Sequence, residues 1–232
     1  MIDIHTHILP GIDDGCKTVE ETLEIMNYLV NSGIKKVVAT PHFYSEVNNI
    51  ENFLTGRQEA YEKIRDKIPD GLEVVLGAEV LLDFGLHKKD IRKLVIANTD
   101  YILLEMPYSR WEPWVFEEIF KISATHGLEI IIAHVDRYVK LISSESMETL
   151  LSMGLKYQVN IDDMGGFFRK SEAMTLMRNG VVHFIGSDCH NTDFRPPCLL
   201  EGIKKIRTRL GDEYADYYMS NAEKMLRNES IN

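Results

Sequence analysis

Short apolar runs alternate with amphipathic stretches along the whole chain. Runs at 2–5, 36–40, 72–77, 101–105, 129–133, 157–160 and 181–186 read as strands. They are continuously apolar rather than alternating, as in Val37-Val38-Ala39 and Ile130-Ile131-Ile132, which is the pattern of parallel strands covered on both faces. Helical periodicity fills the intervals. The first helix begins at Thr18 with Glu21 three residues on, a capping box, carries Met26, Leu29 and Val30 on one face, and stops at Gly33. Further helices are predicted over 51–67, 114–125, 146–153, 171–178 and 199–210, several of them followed by glycine, and an amphipathic helix covers 213–226. No repeat or Pro/Gly linker interrupts the series, so residues 1–232 are expected to form a single domain. Seven βα units in a row predict an α/β fold with a closed or nearly closed barrel, an open doubly wound sheet being the competing layout.

The reading by strand ends brings out the chemistry. At or just after successive strand ends stand His5 and His7, then His42, Glu79, Glu105, His134, and finally Asp188 and His190. Parallel strands point their carboxyl ends to one face of the molecule, where sites are built. His5 and His7 are two apart and project together, and Asp188-Cys189-His190 repeats that spacing on the last strand. Imidazole and carboxylate without thiolate favour Mn, Fe or Zn in a functional rather than a structural site. The Asp13-Asp14 loop adds a further carboxylate, giving enough donors for two or three ions.

Composition narrows the partners. The 232 residues carry 26 Lys+Arg against 36 Asp+Glu, a net charge of −10. No basic block is present, so nucleic acid and anionic membrane surfaces are excluded. The amino terminus lacks a signal-peptide pattern, no apolar run approaches the ~18 residues of a membrane span, and three cysteines argue against a disulfide framework. A cytoplasmic location without membrane insertion is expected.

His5-x-His7, the Asp14-Gly15 loop, Thr40-Pro41-His42, Gly77-x-Glu79, Glu105, Ala133-His134-x-x-Arg137-Tyr138 and Ser187-Asp188-x-His190-Asn191 together resemble the PHP (polymerase and histidinol phosphatase) superfamily. Within it they are similar to the bacterial protein-tyrosine phosphatases of capsule and exopolysaccharide operons. The resemblance runs from residue 1 to about 200. It implies a distorted seven-stranded (β/α)7 TIM-like barrel of PHP type with three divalent ions, Mn²⁺ first and Fe or Zn as alternatives. One ion would take His5, His7, Glu79 and Asp188; a second would share Glu79 and add Glu105 and His134; a third would take Asp14, His42 and His190. The implied partner is a phosphotyrosine protein, the tail of a bacterial tyrosine kinase. Histidinol-phosphate phosphatase, or another small phosphomonoesterase of the superfamily, is the alternative.

Four carboxylates against three divalent ions leave about two positive charges, a field suited to a phosphomonoester dianion. Arg137 and Arg195 follow the same strand ends and are the candidate catalytic clamps on phosphoryl oxygens. Tyr108, Trp111 and Trp114 are candidates for a slot around a phosphorylated ring, or else an anchored loop at the rim. Cys189 and Arg195 match the C-x5-R spacing of cysteine-dependent phosphatases. The five residues between lack glycine, however, and Pro196-Pro197 follow, which weighs against a thiol mechanism. His87, His126 and His183 read as structural, and Asp162 and Asp163 as loop caps. An amidohydrolase is disfavoured by Glu105 and Asn160 at the fourth and sixth strand ends, and a metal-poor binding barrel by the full donor set.

Overall fold

A computed structural model describes residues 1–161 and 172–231. Its strands are β1 (Ile2–Thr6), β2 (Lys36–Ala39), β3 (His42–Phe43), β4 (Glu73–Leu76), β5 (Glu79–Leu81), β6 (Tyr101–Glu105), β7 (Glu129–Ile132), β8 (Lys156–Asn160) and β9 (Phe184–Gly186). All neighbouring pairs are parallel, in the orders β1-β2-β4 and β3-β5-β6-β7-β8-β9. Two of the seven expected strands, 36–40 and 72–77, thus resume past their expected ends as β3 and β5, after breaks at Thr40-Pro41 and at Gly77-Ala78. Proline has no N–H for the ladder. At Gly77 an added Cβ would meet Val38 Cγ1 at 3.2 Å, so a side chain there would press on the neighbouring wall. Hydrogen bonds from Gly77 N to Ala39 O (2.8 Å) and Glu79 N to Pro41 O (3.1 Å) carry the wall across both breaks. The other edge joins β1 through Asp188 N to His5 O (2.9 Å) and His7 N to Cys189 O (2.8 Å), so the curled sheet closes as a seven-stranded barrel.

The helices are α1 (Val19–Asn31), α2 (Ile50–Glu62), α3 (Pro113–His126), α4 (Ser144–Ser152), α5 (Glu172–Arg178), α6 (Leu199–Arg209) and α7 (Asp212–Leu226). Thr18 caps α1 by accepting from Glu21 N at 3.2 Å, while the Glu21 carboxylate takes Lys17 N rather than the cap's own N–H. Between β5 and β6 no α-helix forms; two short 3-10 turns, Leu86–Lys88 and Ile91–Leu94, bury Leu86, Ile91 and Leu94 against the barrel. That missing helix and the two strand breaks are the distortion of the barrel.

Apolar packing has two parts. Helices cover the outside of the sheet. Inside, Ile4, Val38, Tyr101, Leu103, Ile131 and Phe184 pack together, and Ala222, Met225 and Ile231 from α7 and the tail plug the amino ends of the strands. Asn221 Nδ2 donates to His183 O (2.9 Å) and the Tyr101 hydroxyl to Glu229 O (2.7 Å), pinning the plug. With one end of the barrel stoppered, the polar side chains occupy the other. Among the described residues no helix is long and apolar enough to cross a membrane.

Candidate metal centre

All nine sequence-derived donors meet at the carboxyl ends of the strands. His5, on β1, and His7, just after it, are buried. Gly186 on the adjacent strand makes room for them, since a Cβ there would lie 2.7 Å from His5 Cβ. The following loop folds back on His7 so closely that a Cβ at Gly15 would stand 2.0 Å from His7 O. This fold-back separates two adjacent carboxylates. Asp13 turns inward and accepts from His7 Nδ1 (2.7 Å), Gly15 N (2.9 Å) and His42 N (3.1 Å). Asp14 stays 62% exposed, its Oδ1 3.4 Å from His42 Nε2 and 3.3 Å from His190 Nε2.

The central group is a cage of four donor atoms. Glu79 Oε2 lies 3.1 Å from His5 Nε2 and 3.2 Å from His7 Nε2; Asp188 Oδ1 lies 3.5 Å and 3.3 Å from the same nitrogens, which are 3.3 Å apart. An ion with donor bonds of ~2.0–2.2 Å holds neighbouring donors roughly 2.8–3.6 Å apart, so the cage has the dimensions of one. Glu79 Oε2 and Asp188 Oδ1 are buried with no hydrogen-bond donor of their own, as is His42 Nδ1. Orphaned acceptors of this kind are costly unless a cation meets them. Two further groups adjoin the cage: His7, Asp14, His42 and His190, and His42, Glu79 and Glu105. His134 Nε2 completes the latter side, 2.8 Å from Glu79 Oε1 and 3.6 Å from Glu105 Oε1.

Four of the five imidazoles are held by Nδ1. His7 faces Asp13, His190 donates to Asp188 O (2.9 Å), His134 meets the Tyr138 hydroxyl (3.1 Å) and His5 reaches Gln158 Oε1 (3.4 Å). Each leaves Nε2 for the interior, the arrangement of metal-binding histidines. The charges agree. Burial opposes a proton on His5 and on His7, yet Glu79 and Asp188 facing both, with Asp13 beside His7, raise the two pKa values. In this cation-binding field a proton takes the position where charge is wanted. Burial raises Glu79 and Asp188 in turn, but the imidazoles more than offset it and hold both far down. Burial, with Glu79 beside it, pushes Glu105 up to about 7.

Arg137 and Arg195 are on the same face, but both contact Asp188: Arg137 Nη2 is 3.0 Å from Oδ2, and Arg195 Nη2 donates to the same oxygen. Arg195 Nη1 also lies 2.8 Å from His190 Nε2. Tyr108 is 57% exposed at the mouth, its hydroxyl 3.4 Å from Arg137 Nη1. Trp111 is not at the mouth. It is 6% exposed, packed on Tyr138 and Phe116, with its indole N–H donated to Pro107 O (3.0 Å), so it anchors the loop instead of walling a slot. Trp114 stands edge-on to Phe84, in a cavity with Leu81 and Pro107. A cavity of about 580 Å³ does open directly off Asp14 and His42, walled by Tyr44, Val47 and Phe53.

His87, His126 and His183 lie elsewhere: His87 pairs with Glu118 (2.7 Å), His126 Nε2 with His87 O (2.8 Å), and His183 Nδ1 with Tyr157 N (3.3 Å). Cys189 is fully buried, and burial pushes its thiol well up, so it is no nucleophile. Asp162 and Asp163 lie outside the described residues. Sequence reasoning missed Asp13 as the partner of His7, and Gln158. The signal for Gln158 was its spacing, two before Asn160, which puts both polar side chains on one face of the strand.

Imidazoles and carboxylates gathered at one mouth of a parallel α/β barrel define a metal-site barrel, and the fold recurs widely. The Escherichia coli phosphotriesterase homology protein aligns with a TM-score of 0.58 at 12% identity, over 96% of this chain and 97% of that one. The particular family is narrower: the sequence model of the capsular polysaccharide synthesis family CpsB/CapC matches residues 1–227, and the chain belongs to that family. It is 30% identical to the tyrosine-protein phosphatase YwqE of Bacillus subtilis (100% of this chain, 93% of the relative). It is 29% identical to the tyrosine-protein phosphatase CpsB of Streptococcus agalactiae serotype III over the full length of both. A solved structure from work on B. subtilis YwqE and Streptococcus pneumoniae CpsB, described as unique metal-dependent tyrosine phosphatases, aligns with a TM-score of 0.81. The identity is 26%, over 100% of this chain and 96% of that one.

Proposed function

We propose that this chain is a metal-dependent protein-tyrosine phosphatase, a single unit over residues 1–232, acting on a bacterial tyrosine kinase of capsule or exopolysaccharide synthesis. The observation that carries the reading is the cage of His5, His7, Glu79 and Asp188, with two buried carboxylate oxygens that have no donor. Full-length similarity to tyrosine phosphatases of the same family supports it.

The residues fit three divalent ions, Mn²⁺ first: the cage would hold one, Glu79, Glu105 and His134 the second, Asp14, His42 and His190 the third. Bound there, the ions supply Lewis acidity to the phosphoryl oxygens and lower the pKa of water. The chain's own groups do the rest. Arg137 and Arg195 flank the cage, each with one guanidinium nitrogen on Asp188 Oδ2 and the other toward Tyr108 or His190. They orient the phosphoryl group and hold the charge that spreads over its equatorial oxygens. Tyr108 flanks the mouth, and the cavity beside Asp14 and His42 receives the leaving group. A phenol leaves with a pKa of about 10, so a strong general acid is unnecessary. Phosphate release from phosphotyrosine, phosphoserine and histidinol phosphate, each with and without Mn²⁺, tests the reading. Turnover of histidinol phosphate alone would favour the other phosphomonoesterase.

A further inference from the structure

Strand β8 brings no donor to the cluster, yet two of its side chains tie together donors from three other strands. Gln158 Oε1 accepts from His134 N at 2.8 Å and lies 3.4 Å from His5 Nδ1. The amide's orientation is settled by its other end, where Nε2 donates to Asn160 Oδ1 (3.0 Å) and Val159 O (2.8 Å); reversed, it would set acceptor against acceptor there and donor against donor at His134 N. Asn160 Nδ2 then donates to Asp188 Oδ2 at 2.5 Å. Gln158 and Asn160 are both fully buried, so neither is available to substrate.

We infer that Gln158 and Asn160 are the positioning residues of the metal centre. Three consequences follow from the geometry. An acceptor at His5 Nδ1 keeps the proton there and leaves the Nε2 lone pair facing the cage. His134 departs from its strand with φ +34°, a left-handed backbone conformation unfavourable for a residue with a β-carbon, and the Gln158 hydrogen bond to its N–H holds it there. Asn160 and the two arginines all donate to Oδ2 of the Asp188 carboxylate, and among the described residues Oδ1 has no donor, so that Oδ1 is the oxygen presented to His5 and His7. The adjacent strand accommodates the pair, since a Cβ at Gly186 would come within 3.1 Å of Gln158 Nε2.

The inference rests on the reading that the cluster holds ions, and the test separates the two. Metal-stripped full-length wild type, Gln158→Met and Asn160→Ala are titrated with Mn²⁺ by calorimetry, with circular dichroism melts of the stripped proteins and kcat measured against free Mn²⁺. Gln158→Met keeps the length of the side chain and removes its polar atoms. The expected result is a folded protein whose Mn²⁺ affinity falls ~10–100-fold and whose kcat recovers with excess Mn²⁺. Asn160→Ala should fall ~10-fold, the low end, because both arginines still hold Asp188. A folded Gln158→Met with wild-type affinity overturns the inference. If that variant does not fold, wild-type affinity in Asn160→Ala overturns it instead. A wild type that takes up no Mn²⁺ contradicts the metal reading itself, and this inference with it.

Discussion

Asp13 Oδ2 lies 2.7 Å from Nδ1 of His7, whereas the next carboxylate in the chain, Asp14, faces His42 and His190 across 3.3–3.4 Å. On the proposed reading the pair divides two tasks, Asp13 orienting an imidazole and Asp14 serving as a ligand.

The division predicts different losses. Asp13→Ala should keep the full complement of ions at saturating Mn²⁺ but bind them ~10–100-fold more weakly. Burial raises the Asp13 pKa and the His7 imidazole more than reverses it, bringing it down to about 2, so the carboxylate is charged at any working pH. Asp14→Ala should instead lose one ion per chain. Elemental analysis after gel filtration at several Mn²⁺ concentrations distinguishes the two; identical behaviour would refute the division.

Arg137 is assigned to the phosphoryl group, so Arg137→Ala should lower kcat/KM on a phosphotyrosine peptide ~10²–10³-fold. Metal content should be unchanged, because Arg195 and Asn160 remain on Asp188. Full activity in the variant would remove Arg137 from the mechanism.

Cys189 offers a clean control. Its side chain is buried away from the mouth and within hydrogen-bonding reach of Ser187, so Cys189→Ser should retain activity within a few-fold. A chelator should abolish turnover in both proteins, and loss of turnover in the serine variant with metal content intact would point back to the thiol.

His183 makes stability depend on pH. Burial, aided by Lys156, lowers its pKa to about 4, and Nδ1 accepts from Tyr157 N, which requires it unprotonated. The unfolded chain, with a pKa of about 6.5, binds more protons between pH 4 and 6.5, so this contribution is lost as pH falls through that window. His183→Asn, whose amide oxygen still accepts, should lose less melting temperature than wild type between pH 7.5 and 5 in metal-free buffer. Equal losses would contradict the assignment.

Much of this was legible in the residues. His5, His7, His134, Asp188 and His190 stood out because strand ends can be read from apolar runs, and parallel strands bring those ends together. The strand breaks and the missing helix were not legible. Pro41 and Gly77 interrupt ladders whose continuity depends on neighbours distant in sequence, and 82–100 folds against the barrel by burying Leu86, Ile91 and Leu94 without helical periodicity. Trp111 was misplaced for a related reason: which way an aromatic residue turns from a loop is decided by Tyr138 and Phe116, not by its own position. Gln158 shares a face with Asn160, which the spacing shows, but its contacts with His134 and His5 lie on other strands and no local pattern records them.

On the proposed reading, a cation cluster in this barrel hydrolyses phosphotyrosine. Elemental analysis of the purified chain, coupled to phosphate release from a phosphotyrosine peptide before chelation, after chelation and after adding back Mn²⁺, tests it most directly. The expected result is about three ions per chain at saturation, turnover that disappears with the metal and its return with Mn²⁺. Less than about one ion per chain, or turnover that survives complete chelation, would contradict it.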